Sequence, residues 1–164
     1  MPDLLTQLSP HLTLAEMTRS EKAVKLNIAN IPDADAIDAM RAWASHIYDP
    51  TVVHFGGRRV FVSSGFRSAA LDTAVNNRLT NSQHKRGEAG DLDNDGVPGG
   101  PTNAEIFHFI RLNLPFDQLI WEYGDEQGPA WVHCSRKLSG RQRRQVLRCV
   151  RDRDGKPTYP VWTP

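Results

Sequence analysis

The chain has 164 residues, a length that suits one domain around one core. Hydrophobic residues at 39% and charged residues at 24% make a globular soluble fold the default. Twenty basic residues against nineteen acidic ones leave a formal charge of +1, which argues against nucleic acid as the main partner. No segment approaches the roughly 20 apolar residues of a membrane span. Met1 to Gln7 carries neither a basic leader nor a long apolar run, so the reading is cytoplasmic synthesis without a secretory signal.

Thr13-Leu14-Ala15-Glu16 has the form of a capping box and opens a short helix. Pro32 and Asp33 introduce a better one, with Ile37, Met40, Ala44 and Ile47 on one face, Trp43 extending it, and Pro50 ending it. Arg59 to Ser63 reads as a buried strand. Ala69 to Asn76 reads as a helix and Asn76 to Gln83 as a polar loop. Ala89 to Asp93 is a second short strand, and Asn94 to Pro101 is a Gly- and Pro-rich surface loop.

Thr102 to Glu105 is another capping box, leading into an amphipathic helix through Ile106, Phe107, Phe109 and Ile110. Phe116 to Tyr123 and Ala130 to Cys134 read as strands joined by a turn at Gly124 to Pro129. A basic turn, Arg136 to Arg144, leads to a last strand, Gln145 to Val150. The tail from residue 151 to 164, with Pro157, Pro160 and Pro164, reads as extended. Helices first and an antiparallel meander late suggest an α+β fold, with a small, mainly antiparallel sheet and helices on one side. The whole chain, 1–164, reads as a single domain with its core at about 12–150.

Cys134 and Cys149 form no C-x-x-C pair, which excludes a zinc-thiolate knuckle. They read as reduced, half-buried thiols, placed near each other on adjacent strands if the basic turn is a hairpin tip.

The chemistry concentrates in Ser82-Gln83-His84-Lys85-Arg86-Gly87-Glu88-Ala89-Gly90-Asp91. An imidazole and a carboxylate stand seven positions apart, with Gly87, Ala89 and Gly90 keeping the space between them free of bulk. Trp131-Val132-His133 adds a second imidazole on a strand-like run. Two His and one Asp are a zinc set with a fourth position open for water, the mark of a hydrolytic site. His11, His46, His54 and His108 have no such context, and His108 falls on the polar side of its helix.

Ser82, His84, Gly87, Ala89 and Asp91 match the S-x-H-x-x-G-x-A-x-D signature of the D-Ala-D-Ala metallopeptidases. That group includes zinc D-Ala-D-Ala carboxypeptidases, vancomycin-resistance dipeptidases and phage peptidoglycan endopeptidases, and shares its fold with the hedgehog signalling domain. Ser64-Gly65-Phe66-Arg67-Ser68 resembles its S-G-[YF]-R-S segment, and Trp131-Val132-His133 its W-x-H segment. The likeness runs from about Leu12 to Val150 and is nearest the short, phage-associated branch. It implies zinc held by His84, Asp91 and His133, with Arg67 lining the cleft to bind a substrate carboxylate or an oxyanion. Ser82 is left with two readings, a hydrogen bond near the site or a cap on the loop. The implied substrate is an amide bond in the peptide of bacterial peptidoglycan. The implied setting is a monomer that acts on the wall after release, as an endolysin does, or from a virion.

Many relatives carry the catalytic carboxylate three positions before the last His, where this chain has Ala130. Glu122 is the candidate base. If Tyr123 pairs with Ala130, Glu122 lies opposite Trp131 and on the face of His133, whereas a one-residue slip would turn it away. A turn carboxylate, Asp125 or Glu126, and the absence of any protein base are the alternatives. The missing glutamate also leaves a non-catalytic zinc module that binds wall or a protein partner. Asp91 to Gly96 resembles the start of a calcium loop, but position twelve is Thr102, and Pro98 and Pro101 interrupt it. The basic cluster from Arg136 to Arg148 reads either as attraction to anionic wall polymers or as a solvated hairpin tip.

Overall fold

The computed structural model describes residues 3–77 and 80–163. Part of the expected loop Asn76 to Gln83, and Pro164 of the tail, lie outside the described residues. A small hairpin, β1 (Gln7–Ser9) and β2 (Leu12–Thr13), leads directly into α1 (Leu14–Thr18). The expected capping box is present: Glu16 N donates to Thr13 Oγ1 at 3.3 Å, and Thr13 N donates to Glu16 Oε2 at 2.9 Å. A short α2 (Glu21–Lys25), capped by Ser20, follows. Asp33 caps α3 (Ala34–Trp43) by accepting from Ala36 N at 2.8 Å.

Pro50 does not end this helix. Ala44–Tyr48 widen into a π-helical turn, and α4 (Asp49–His54) continues with Pro50 in its first turn. A proline lacks its N–H and crowds the carbonyl one turn back, and a π turn is a known way to absorb such an interruption. Trp43 is fully buried, as its place on the apolar face suggested. Further on, α5 (Ala69–Asn76) and α6 (Asn103–Asn113) form where expected, the latter with its own capping box from Thr102 and Glu105.

The architecture is α+β. Six strands form one sheet in the order β3 (Val62–Ser64), β4 (Ala89–Leu92), β6 (Trp131–Ser135), β5 (Gln118–Glu122), β7 (Gln145–Arg151), β8 (Pro157–Thr158). Every neighbouring pair is antiparallel except β5 and β7, which run parallel. The late strands are therefore not the simple meander expected. The chain leaves β6 at Ser135, crosses the start of β5, and enters β7 on its far side, so that Gln118 stands between Ser135 and Gln145.

Asp117 ties down the crossing. Its carboxylate is fully buried and accepts from Arg143 N at 2.9 Å and Arg143 Nη2 at 2.6 Å, with Lys137 Nζ at 3.2 Å. Burial alone would push this carboxyl up. Its bonds from Arg143 and Lys137 more than offset that and hold it below the usual range. Arg144 lies over the Phe116 ring and donates to Leu114 O. Much of the basic turn is thus tied down rather than a free patch for anionic polymers.

One sheet face packs on α3, its π turn and α6, through Trp43, Ile106, Phe107, Ile110, Val132 and Leu119. Trp43 Nε1 donates to Cys134 O at 2.9 Å, seating the indole flat on β4 and β6. Gly90 is required at this contact: a Cβ there would stand 2.6 Å from the Trp43 ring. A methyl would overpack the interface at a cost of about 1–3 kcal/mol. Among the described residues, the opposite face carries a small buried apolar cluster, Ile120, Leu147 and Cys149, with Tyr123 against it. Cys134 and Cys149 are both free and buried, but they lie in these two different clusters on strands that are not neighbours, which corrects the expected proximity. Among the described residues, no helix is long and apolar enough to cross a membrane.

Candidate metal centre and cleft

Three short elements bring the metal-type residues together. Ser82 caps a 3₁₀ turn, Gln83–Arg86, by accepting from His84 N at 3.3 Å, and since His84 belongs to the cluster and Ser82 lines the cleft, this one bond meets both readings of Ser82. Gly87 ends the turn at φ +70°, the left-handed region that favours glycine. The chain then enters β4, where Asp91 sits directly across from His133 on β6. Residues that alternate along a strand share a face, and this pairing sends both side chains to the sheet face opposite the helices.

Within this cluster His133 Nδ1 lies 2.9 Å from Asp91 Oδ1, His84 Nε2 lies 3.2 Å from His133 Nδ1, and His84 Nε2 lies 3.4 Å from Asp91 Oδ1. Donor atoms on a tetrahedral zinc, with bonds of about 2.0–2.1 Å, stand roughly 3.3 Å apart. The three edges match that spacing, so the donor set fits a small ion such as zinc. It is the one such His, Cys or carboxylate cluster among the described residues.

Second contacts orient the donors. His84 Nδ1 lies 2.7 Å from Gly65 O; in the neutral ring that nitrogen donates, leaving Nε2 with its lone pair toward the cluster. Burial, with Arg67 and His133 adding to it, lowers the His84 pKa against the pull of Asp91, which favours the neutral, ligand-competent ring. Burial would raise the Asp91 carboxyl, yet His84 and His133 outweigh it and hold that group well below the usual carboxylate range.

Arg67 lines the cleft as expected, but most of its guanidinium is engaged. Nη2 donates to Asp91 Oδ2 at 3.0 Å and to Ser64 Oγ at 2.9 Å, and Nε donates to the same hydroxyl at 3.1 Å. Among the described residues, the partner of Nη1 is the buried Asp72 carboxylate, at 3.8 Å. Arg67 therefore holds one oxygen of Asp91 while the other faces the two imidazoles, and Nη1 keeps donor capacity. Ser64 and Gly65 belong to the matched S-G-F-R-S segment, so their positions were visible in the sequence while their contacts were not.

Glu122 pairs with Trp131 across β5 and β6, the register in which it shares the face of His133. It is buried, and it lines the same cleft of about 960 Å³ as the cluster. Burial pushes its carboxyl above the usual glutamate range; His133, the Cys149 thiol and Arg67 pull it back only in part, and the Asp91 charge adds to the rise. The parallel β7 puts Cys149 directly opposite Glu122, a neighbour no local pattern announced.

The other candidates do not join the cleft. Asp125 is exposed and accepts from Gln127 N and Gly128 N within its own turn, and Glu126 is also exposed. The calcium-loop residues do not converge: Asp91 turns to the imidazoles, while Asp93 accepts from Asp95 N and Asn103 Nδ2. His108, expected on the polar side of α6, packs edge-on against Trp121 and the tail residue Trp162. No protein-family model matches the chain, and a search of curated proteins finds no match either.

Proposed function

We propose that this chain is a zinc-dependent peptidase of the D-Ala-D-Ala metallopeptidase type, with the hedgehog-like fold of that group, cleaving an amide bond in the peptide of bacterial peptidoglycan. The observation that carries the reading is one sheet face holding a three-donor cluster of zinc-like spacing beside a buried carboxylate with a raised pKa. A glutamate poised nearer neutrality is a better general base than an ordinary exposed one.

His84, Asp91 and His133 would hold the zinc, which when bound supplies Lewis-acid polarisation of the scissile carbonyl and acidifies an attacking water. Glu122 would take that water's proton on a carboxylate oxygen and return it to the leaving amine. Arg67 keeps Asp91 oriented through Nη2, and its Nη1 is the donor available to a developing oxyanion. Ile120 and Leu147 form an apolar floor that helps to exclude bulk water from the reacting groups. In this reading the protein works as a monomer on the wall, after release from the cell or from a virion.

A second reading, a zinc-bearing module of the same fold that binds wall or a protein without cutting, draws on Ala130. That position has no carboxylate, and its carbonyl accepts from Asn103 Nδ2. Mass spectrometry of fragments released from purified peptidoglycan, with and without chelator, tests the two. Chelator-sensitive release of peptide fragments supports the peptidase. Tight zinc binding with no bond cut supports the module, and cleavage that ignores chelator counts against a zinc mechanism.

A further inference from the structure

The tail is not a loose end. After a turn at Asp152 to Gly155 the chain reverses and pairs with β7, Val150 against Thr158 and Arg151 against Pro157. A further bridge joins Leu147 to Val161. Between these pairs, Tyr159 falls opposite Cys149. Trp131, Glu122, Cys149 and Tyr159 thus form one row across β6, β5, β7 and β8. Glu122 and Trp131 share the cleft face, so Tyr159 presents its ring on that face too, and it lines the same cavity as the metal-type cluster.

The strap is fixed from the other side. Trp162 N donates to Val146 O at 3.0 Å, and its indole sits 5.3 Å from the Phe107 ring with the Arg111 guanidinium 4.9 Å above it. An aromatic anchor with a cation over its face is a substantial contact for a chain end. It holds Tyr159 at the cleft edge although that residue itself is 48% exposed.

Its hydroxyl lies beside the Cys149 thiol, a weak acceptor. Among the described residues, no oxygen or nitrogen accepts from it. A phenol, with an ordinary pKa of about 10, is protonated near neutrality, so the hydroxyl is a donor. An exposed aromatic wall with an uncommitted donor, three strands from His133 and beyond Glu122, is placed to meet substrate rather than the reacting atoms.

We propose that the C-terminal strap is the far wall of the substrate cleft, and that Tyr159 is a specificity-determining residue whose ring packs on the peptide and whose hydroxyl donates to one of its carbonyls. This inference rests on the peptidase reading. The test uses the full-length, zinc-loaded chain carrying Glu122→Gln, which binds without cutting, and soluble disaccharide-peptides released from peptidoglycan by a muramidase. Adding Tyr159→Ala weakens calorimetric binding about tenfold, the scale of an interfacial aromatic, with zinc content unchanged. With Glu122 intact, Tyr159→Ala raises KM by a similar factor and leaves kcat within about twofold, and Tyr159→Phe falls between. Trp162→Ala, which releases the strap, gives the same KM effect with Tyr159 in place. Affinity and KM unchanged in Tyr159→Ala, while the wild type cleaves peptidoglycan, overturn the inference alone. A wild type that cleaves nothing, with a Glu122→Gln chain that binds no fragment, removes the peptidase reading and this inference together.

Discussion

Two carboxylates face one cleft and meet opposite fates. Asp91, on the β4–β6 side, is surrounded by two imidazoles and a guanidinium and is held strongly ionised. Glu122, on the β5–β7 side, has an apolar floor and a thiol for its nearest company, and is pushed toward protonation. Both are largely buried, so burial does not decide between them; the density of positive or dipolar partners does. The difference separates a group that can hold a cation from one that can carry a proton, which is how one sheet face could host both roles.

Four changes break or sharpen this contrast. The largest effect is expected from Asp91→Asn, which removes the charged oxygen shared by both imidazoles and takes from Arg67 the nearer of its two carboxylate partners. Zinc content measured by mass spectrometry falls to background, peptidoglycan hydrolysis goes with it, and the metal-free fold loses about 3–5 kcal/mol in denaturant titrations. Zinc retained at full stoichiometry would remove Asp91 from the ligand set.

Glu122→Gln comes next. It lowers kcat by about 10²–10⁴-fold with zinc content unchanged. The two carboxylates also have opposite linkage to pH. Asp91, with its pKa depressed by folding, contributes stability above the unfolded aspartate pKa, and that stability is lost as pH falls through the folded value. Glu122, with its pKa raised, adds no penalty below the unfolded glutamate pKa, and its cost grows as pH rises through the folded value. Glu122→Gln should therefore melt higher than the wild type at neutral pH and no higher in acid. Activity of the zinc-loaded wild type should rise with pH along an acid limb that Glu122→Gln removes. Residual Glu122→Gln activity that keeps the wild-type acid limb would contradict the base assignment.

Arg67→Lys is expected to be milder. A lysine offers a point charge in place of a fork, so Ser64 and Asp91 cannot both be held. Zinc affinity drops about 10–100-fold by competition with a chromogenic chelator. The smallest catalytic effect belongs to Asp117→Asn, which lies outside the cleft. It costs about 2–3 kcal/mol, because buried charged bonds to Arg143 and Lys137 are lost, while zinc affinity stays the same. Since folding depresses the Asp117 pKa, that contribution fades as pH falls through the folded value, so wild type and variant converge in acid melts.

Local chemistry was legible in the sequence. The Thr13 and Thr102 capping boxes, the Asp33 cap and the buried face with Trp43 depend on residues three or four apart, and all are present. The register that brings Glu122 opposite Trp131 was also legible, because a short connection constrains the β5–β6 pair. Long-range choices were not. The crossing into parallel β7 is tied down at Asp117, which looks like any polar strand-end residue until its partners from the basic turn are known. Consecutive strands usually neighbour each other, and here that expectation placed Cys149 beside the wrong strand. Pro50 misled for a related reason: its usual helix-ending effect is absorbed by the widened turn before it, which no local pattern announces. Tyr159 had no signal, since a proline-rich tail gives no hint of what it will lie against.

The crossing of β6 to β7 over the start of β5 also orders assembly in time. The β5–β6 hairpin closes over a short connection and can form early, whereas β7 has only β5 to pair with until β8 arrives. The three donors lie on elements that end at Ser135, while the residue facing Glu122 and the outer wall come from the final third of that sheet. The donor cluster can therefore be complete before the groove beside it is, so in the proposed enzyme metal loading and substrate competence would mature as separate events, the second governed by β7 and the strap that follows it.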